Sequence, residues 1–356
     1  MNARCSSLAF TLLISAFVGS STASVTMIGR NGNFANQIQS VSYYGDVAVG
    51  YTTDSRGSFA TPFIWKNQTR VDHESRTTML FHVSPDGRYA TGTTTIVPRS
   101  NVFRTTIDYS FENLGQPAAS THRTAGEGFN YTASVGIYTV RSPSSDNAAY
   151  RWSESGGAVN IGHLYASSGN TIPHGISYDG NLIVGESDPG SFLNPGYAFY
   201  WTPQTGMREL AMPAGSGREE SGASGVSGNG QVIFGWAPSP LRGVIWRDLV
   251  PEWMPILAGG WQGYRSLSID ESGDTAILQV GNIQLQLNAN VIYTRTDGIM
   301  FAPEFFAMHG ITFPETGRLT INCVSGNGLT FAGSYFDPIL GVPTQGIIIT
   351  IPAPSS

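Results

Sequence analysis

Cysteine is almost absent from this chain: Cys5 and Cys323 are the two in 356 residues. Cys5 lies in an N-terminal apolar segment that reads as cleaved, so the mature chain keeps one thiol and forms no intrachain disulfide. Stability must come from packing. Cys323, within Thr-Ile-Asn-Cys-Val-Ser, reads as a small buried residue rather than a reactive thiol. Charge is also scarce. Charged residues make up 12%, against roughly 25% in ordinary globular chains. Lys66 is the only lysine, and the net charge of −6 gives no basic footprint for nucleic acid. Long apolar runs are missing too. The stretch from Leu8 to Val18 is too short to span a bilayer. With Arg4 before it and Ser21-Thr22-Ala23 after it, it reads as a secretory signal over residues 1–23. No transmembrane segment is expected in the mature chain. Nor is there a nucleophile elbow, P-loop, dinucleotide fingerprint or HExxH zinc site, so no cofactor and no metal is expected.

What is abundant is glycine, at 43 residues, and it is placed periodically. Ile176 to Trp201 holds an apolar strand, an Asp-Gly turn, a second strand ending at Gly185 and a third ending at Trp201. Val226 to Trp246 repeats the pattern with an Asn-Gly turn. Glycines five apart mark five units: Gly45/Gly50, Gly87/Gly92, Gly180/Gly185, Gly230/Gly235 and Gly328/Gly333. A sixth unit is read with Gly136 as its second glycine and Tyr131 at the turn, and a seventh keeps only Gly273. Third strands are read as ending at Trp65, Phe103, Trp152, Trp201, Trp246, Tyr293 and Ile349.

Short strands in fours, repeating every forty to fifty-five residues, are the signature of β-propeller blades. A lone four-stranded sheet cannot cover both its faces. Stacking such sheets in a ring covers them and leaves no long free edge. The chain is therefore expected to be all-β, a seven-bladed β-propeller over residues 24–351 with a short Pro/Ser tail at 352–356. Six or eight blades stay open because two units are degenerate. The last unit lacks a fourth strand, and the orphan strand Val25 to Arg30 is expected to supply it and close the ring. The innermost strands carry small residues before the turn, at Ser40, Gly175, Gly225, Ser268 and Cys323, as convergence on an axis requires.

The segment Ala-Phe-Tyr-Trp-x4-Gly-Met-Arg-Glu-Leu (Ala198 to Leu210), followed by a Gly/Ser-rich loop and Gly-Val-Ser-Gly-Asn-Gly-Gln-Val-Ile-Phe-Gly, resembles the extracellular HAF-repeat proteins of bacteria. The resemblance covers about Val41 to Ile351, is clear in about four units, and implies secretion and a propeller-like fold. It brings no catalytic residues with it. The tail Ile351-Pro-Ala-Pro-Ser-Ser356 is similar to the opening of a PEP-CTERM sorting signal, without the helix and Arg cluster that follow in such signals.

For function, two classes are carried. The first is a secreted, periplasmic or cell-surface binding module, monomeric, for an extracellular polymer such as polysaccharide, or for a protein. The second is a propeller glycan hydrolase or lyase. No carboxylate or histidine recurs at a repeat position, which favours binding. The ligand face is expected to carry the loops before each first strand and between second and third strands. His82, His122, Arg141, His174, Glu186, Trp236 and Tyr335 are the candidate ligand-binding residues there, since Arg and aromatic side chains suit sugars. The Asp of Asp86-Gly87 and Asp179-Gly180 read as turn formers rather than calcium ligands, because Asn229 and Asn327 stand in their places elsewhere.

Overall fold

A computed structural model describes residues 23–29, 35–53, 60–73, 78–94, 102–114, 123–141, 146–165, 169–188, 196–216, 220–238, 241–282, 284–339 and 344–353. Seven four-stranded antiparallel sheets form in chain order. Each runs from an innermost strand outward. The innermost strands are Ala35–Val41, Thr78–Val83, Arg123–Phe129, Asn170–Ile176, Gly222–Val226, Gln262–Ile269 and Arg318–Val324. Each touches the next, and the last touches the first, so they make a closed ring. The chain is a seven-bladed β-propeller.

The ring closes as the missing strand predicts. Ser24–Ile28 pairs antiparallel with Gln345–Thr350, from Ser24 opposite Thr350 to Ile28 opposite Gly346. Blade seven is thus one N-terminal and three C-terminal strands. Arg30 lies outside the described residues.

A second closure is made by backbone alone. The tight turn of each blade hydrogen-bonds to the turn of the next. Tyr43 donates its N–H to Pro85, Asp86 to Tyr131, Tyr131 to Tyr178, Tyr178 to Gly228, Asn229 to Glu271, Glu271 to Gly326, and Asn327 back to Tyr43, at 2.7–3.2 Å. All seven interfaces carry at least one such bond, and that of blades five and six carries a second, from Gly228 to Asp270 at 3.3 Å. Turn amides that a lone hairpin would leave to water are paired in the ring.

In six of the seven turns the first side chain holds the same bond. The Oγ of Ser42, Ser84, Ser177, Ser227 and Ser325 accepts from the backbone N–H five residues on, at 2.9–3.0 Å. Asn130 does the same through Oδ1 in blade three. The fourth turn residue is left-handed, and glycine fills it in six blades. In blade three that residue is Ala133, with φ of 57°. This corrects the reading of that unit, whose anchor is Ala133 rather than Tyr131. The residue equivalent to Gly50 is then Tyr138, not Gly136, because Tyr138 pairs with Gly126 as Gly50 pairs with Ile38. The large and small partners have exchanged strands, which hid the register. Blade two needs a smaller correction. Thr105, not Phe103, holds the position of Trp65, since Thr105 pairs with Ala90 as Trp65 pairs with Ala48.

The core lies between blades. Trp246 of blade five is fully buried against Val184, Ala198 and Leu210 of blade four, and its Nε1 donates to Ala211 O. Trp152 packs on Leu114 and Tyr89 of blade two, and Trp65 on Ile348 and Cys323 of blade seven. Each Trp covers the blade before it. Cys323 is buried as expected, and burial pushes its thiol up to about 12. The helix Ala302–Met308, between blades six and seven, was not anticipated. It adds Phe305 and Phe306 to the core beside Phe331. Among the described residues no helix is long and apolar enough to cross a membrane.

Candidate functional site

The wall around the axis is set by one irregularity repeated seven times. Every innermost strand bulges, at 38/40, 80/82, 126/128, 173/175, 223/225, 266/268 and 321/323. A bulge places two residues opposite one and re-aims the extra side chain. Opposite it, five blades carry glycine because a Cβ there would run into a backbone carbonyl. At Gly50 that carbonyl is Gln37 O, at Gly185 Ile172 O, and at Gly333 Thr320 O.

The extra residues are Gln39, Phe81, Glu127, His174, Ser224, Leu267 and Asn322. Two of them reach the following blade: Asn322 Nδ2 donates to Ile38 O, and Ser224 Oγ accepts from Ser266 N. The Phe81 ring instead meets that of Tyr51 on the preceding blade. On the same face of the second strand lies the residue after the glycine position: Tyr51, Thr93, Thr139, Glu186, Trp236, Gln279 and Ser334. Their partners on the innermost strand are Gln37, Met79, Ala125, Ile172, Gly222, Arg265 and Thr320. The positions around these repeat from blade to blade. These three per blade do not.

Their chemistry is divided around the ring. Blades three to six present Glu127, His174, Glu186, Trp236 and Arg265. Blades seven, one and two present amides, hydroxyls and aromatics: Asn322, Gln37, Gln39, Tyr51 and Phe81. Tyr51 donates to Gln37 Oε1 at 3.0 Å, and Gln39 Nε2 approaches the same oxygen at 3.4 Å.

Three of the candidates read from sequence meet here. His174 Nε2 lies 3.6 Å from Glu186 Oε1. A Cβ built on Gly222 would stand 2.6 Å from Trp236 Nε1 and 3.2 Å from Glu186 Oε2. Gly222 therefore leaves the space in which the indole of blade five and the carboxylate of blade four come together. All three are partly exposed.

The other candidates fall elsewhere. His82 holds the register position of Ser40, Gly175 and Cys323, where strands converge. Burial pushes its pKa down to about 4, so it is neutral near pH 7. Tyr335 points away from the wall. It stands two residues after Gly333, on the opposite face of its strand, and is 7% exposed beside Phe313 with its hydroxyl on Asp337. Arg141 ends the second strand of blade three, but its side chain lies outside the described residues, as does His122 altogether. His163 bonds Thr171 Oγ1 through Nδ1, and His73 packs on Tyr109. Among the described residues no three His, Cys, Asp or Glu side chains are grouped to hold a metal. Much of the loop face expected to bind ligand also lies outside the described residues.

At the tight-turn end the sequence reading missed a cluster. Tyr43, Tyr131 and Tyr178 occupy the same turn position in blades one, three and four, and their rings meet edge to face at 5.4–6.3 Å. Tyr44 packs on Tyr43. Gly326 makes room for them, since a Cβ there would strike the rings of Tyr43 and Tyr178, and Gly228 does so for Tyr178. The signal was present as a Tyr directly after the turn Ser or Asn. The neighbouring Asp86 and Asp179 carboxylates accept from Ser84 and Ser177, so they hold turns as expected.

The sequence matches no protein-family model and no curated protein. Among solved structures the chain is similar to an oligogalacturonate lyase from Vibrio parahaemolyticus, with TM-score 0.58, 12% identity, and 97% of this chain and 98% of that one covered. It is also similar to the β-propeller domain of the Trilobed protease from Pyrococcus furiosus, with TM-score 0.59, 11% identity, and 89% and 95% covered. The likeness is one of fold. That protease domain is described as having an open velcro topology, whereas here the terminal strands share a blade. Shared fold assigns no chemistry.

Proposed function

We propose that this protein is a secreted or cell-surface binding module of the HAF-repeat type that recognises an extracellular polysaccharide on the axial wall. The observation that carries this is the contrast within each blade. Scaffold positions repeat, while the three axial positions hold a mixture of aromatic, amide and ionisable groups. Trp236, Tyr51 and Phe81 offer faces for the apolar side of a sugar, and Gln37, Gln39, Gln279 and Asn322 offer donors and acceptors for hydroxyls. The test is a glycan array probed with residues 24–356. Trp236→Ala should lower binding at least tenfold, about 1.4 kcal/mol or more, while Asp86→Ala should leave it unchanged. The reverse pattern would put the ligand on the tight-turn face.

A second reading, a glycan hydrolase or lyase, draws on the His174–Glu186 pair, whose 3.6 Å separation is within reach of tightening to a proton-transfer contact when substrate binds. It predicts that a bound polymer is shortened on incubation, with new chain ends, and that His174→Asn abolishes this without abolishing binding. A bound polymer that stays intact leaves the binding role alone.

A further inference from the structure

The geometry points to Arg265 as the group that reads a carboxylate on the ligand, and so to a uronate-containing glycan as the ligand class. The inference rests on the glycan-binding reading above. Of the twenty-one axial positions, Arg265 alone is permanently cationic. Its sister positions are all neutral. It pairs with Gln279 on blade six, just after the bulge at 262/265, and is exposed.

Arginines that serve structure in this protein are paired and stacked. Arg104 binds Glu112 and Glu154 at 2.7 and 2.5 Å and lies over the rings of Tyr89 and Trp152. Arg70 binds Asp72 and lies over Phe63. Arg265 has no hydrogen-bond, ion-pair or ring partner among the described residues, although the same ring holds two carboxylates. Those are engaged elsewhere: Glu186 lies beside His174, and Glu127 accepts from Thr139. The guanidinium fork is therefore free for a planar carboxylate, which it matches with two parallel hydrogen bonds. Trp236 stands on the adjacent blade. With two carboxylates in the ring, the attraction is local to Arg265 and not a general positive field.

The experiment titrates residues 24–356 by calorimetry with a galacturonate hexasaccharide, its carboxyl-reduced galactose counterpart and a sulfated galactan hexasaccharide. Arg265→Gln, Arg265→Lys and Trp236→Ala are compared, each checked by thermal melt. The uronate should bind at least tenfold more tightly than the reduced sugar. Arg265→Gln should erase that preference, and Arg265→Lys should restore part of it. If Arg265→Gln keeps the preference while Trp236→Ala loses binding, Arg265 is not the reader and the glycan reading stands. Equal affinity for the sulfated galactan would overturn the carboxylate assignment. If the unsubstituted protein binds none of the three sugars and no glycan on the array, the glycan reading falls and this inference falls with it.

Discussion

The phenol of Tyr43, in blade one, donates to the carboxylate of Glu271, in blade six, at 2.8 Å. The two are 228 residues apart and meet at the tight-turn end of the axis. Their backbones also belong to the ring of turn-to-turn bonds, Tyr43 giving to Pro85 and Glu271 to Gly326. One side-chain bond thus ties two blades that are not neighbours in the backbone ring, blade seven lying between them. Tyr43→Phe should cost about 1 kcal/mol, a charged hydrogen bond discounted for partial exposure. The bond to Glu271, aided by burial, pushes the Tyr43 pKa up to about 12. Below pH 10 the phenol is protonated in both folded and unfolded chains and its stabilisation is whole. Between pH 10 and 12 the unfolded chain loses the proton first, so stability falls as pH rises. Chemical melts at pH 9 and 11 should show a smaller loss for Tyr43→Phe than for the unsubstituted protein. An identical loss would mean that the phenol is not held by Glu271 in solution.

His82 sets the acid side. Burial holds its pKa down near 4 in the fold, against 6.5 as its ordinary value. The folded chain therefore keeps a neutral imidazole where the unfolded chain takes up a proton. Its contribution is complete above pH 6.5 and drains away as pH falls toward 4. His82→Ser places the residue of blade one at the same register. Urea midpoints for this variant should depend less on pH between 6.5 and 4.5 than those of the parent. Parallel curves for the two proteins would show that His82 is solvated.

How much of this could be read from sequence depended on which positions repeat. Blade number, strand order and ring closure were legible because Gly45, Gly87, Gly180, Gly230, Gly273 and Gly328 all need positive φ at one turn position. Blade three misled for a physical reason. Ala133 adopts that φ without being glycine, and Gly126 and Tyr138 exchange size across the ladder. His174, Glu186 and Trp236 were chosen for the loop face, whereas they lie within strands beside the bulge and the glycines opposite it. Tyr335 was read as a loop residue, whereas it lies inside the strand Thr330–Phe336 on the face turned from the wall. Arg265 was not found, since its innermost strand has a second bulge, between 262 and 265, that breaks the repeat count.

Closure by the N-terminal strand can be tested by removing residues 24–28. Ile28 is 4% exposed against Ile38 and Ile348, and Val25 and Met27 pack toward blade six. Losing Ile28 alone should cost about 2–3 kcal/mol. Gln345–Thr350 would then become a bare edge, open to pairing with another copy. The truncated protein should melt at lower temperature and aggregate on standing. Unchanged melting and a monomeric elution profile would show that the backbone ring at the tight turns is sufficient by itself.

Tyr138 offers a prediction of opposite sign. Its ring is fully buried and lies parallel to Tyr150, with centroids 5.5 Å apart. Its hydroxyl is buried and makes no hydrogen bond among the described residues. Burial also pushes the phenol well above its ordinary range, so it stays protonated and uncharged. A buried hydroxyl without a partner costs about 1–3 kcal/mol of desolvation that nothing repays. Tyr138→Phe removes the oxygen and keeps the ring, the stacking and the strand register. The variant should be more stable by about 1 kcal/mol, seen as a rise in urea midpoint with an unchanged slope. A fall of that size would mean that the hydroxyl has a partner in solution, such as a trapped water, and that blade three uses the tyrosine oxygen as well as its ring.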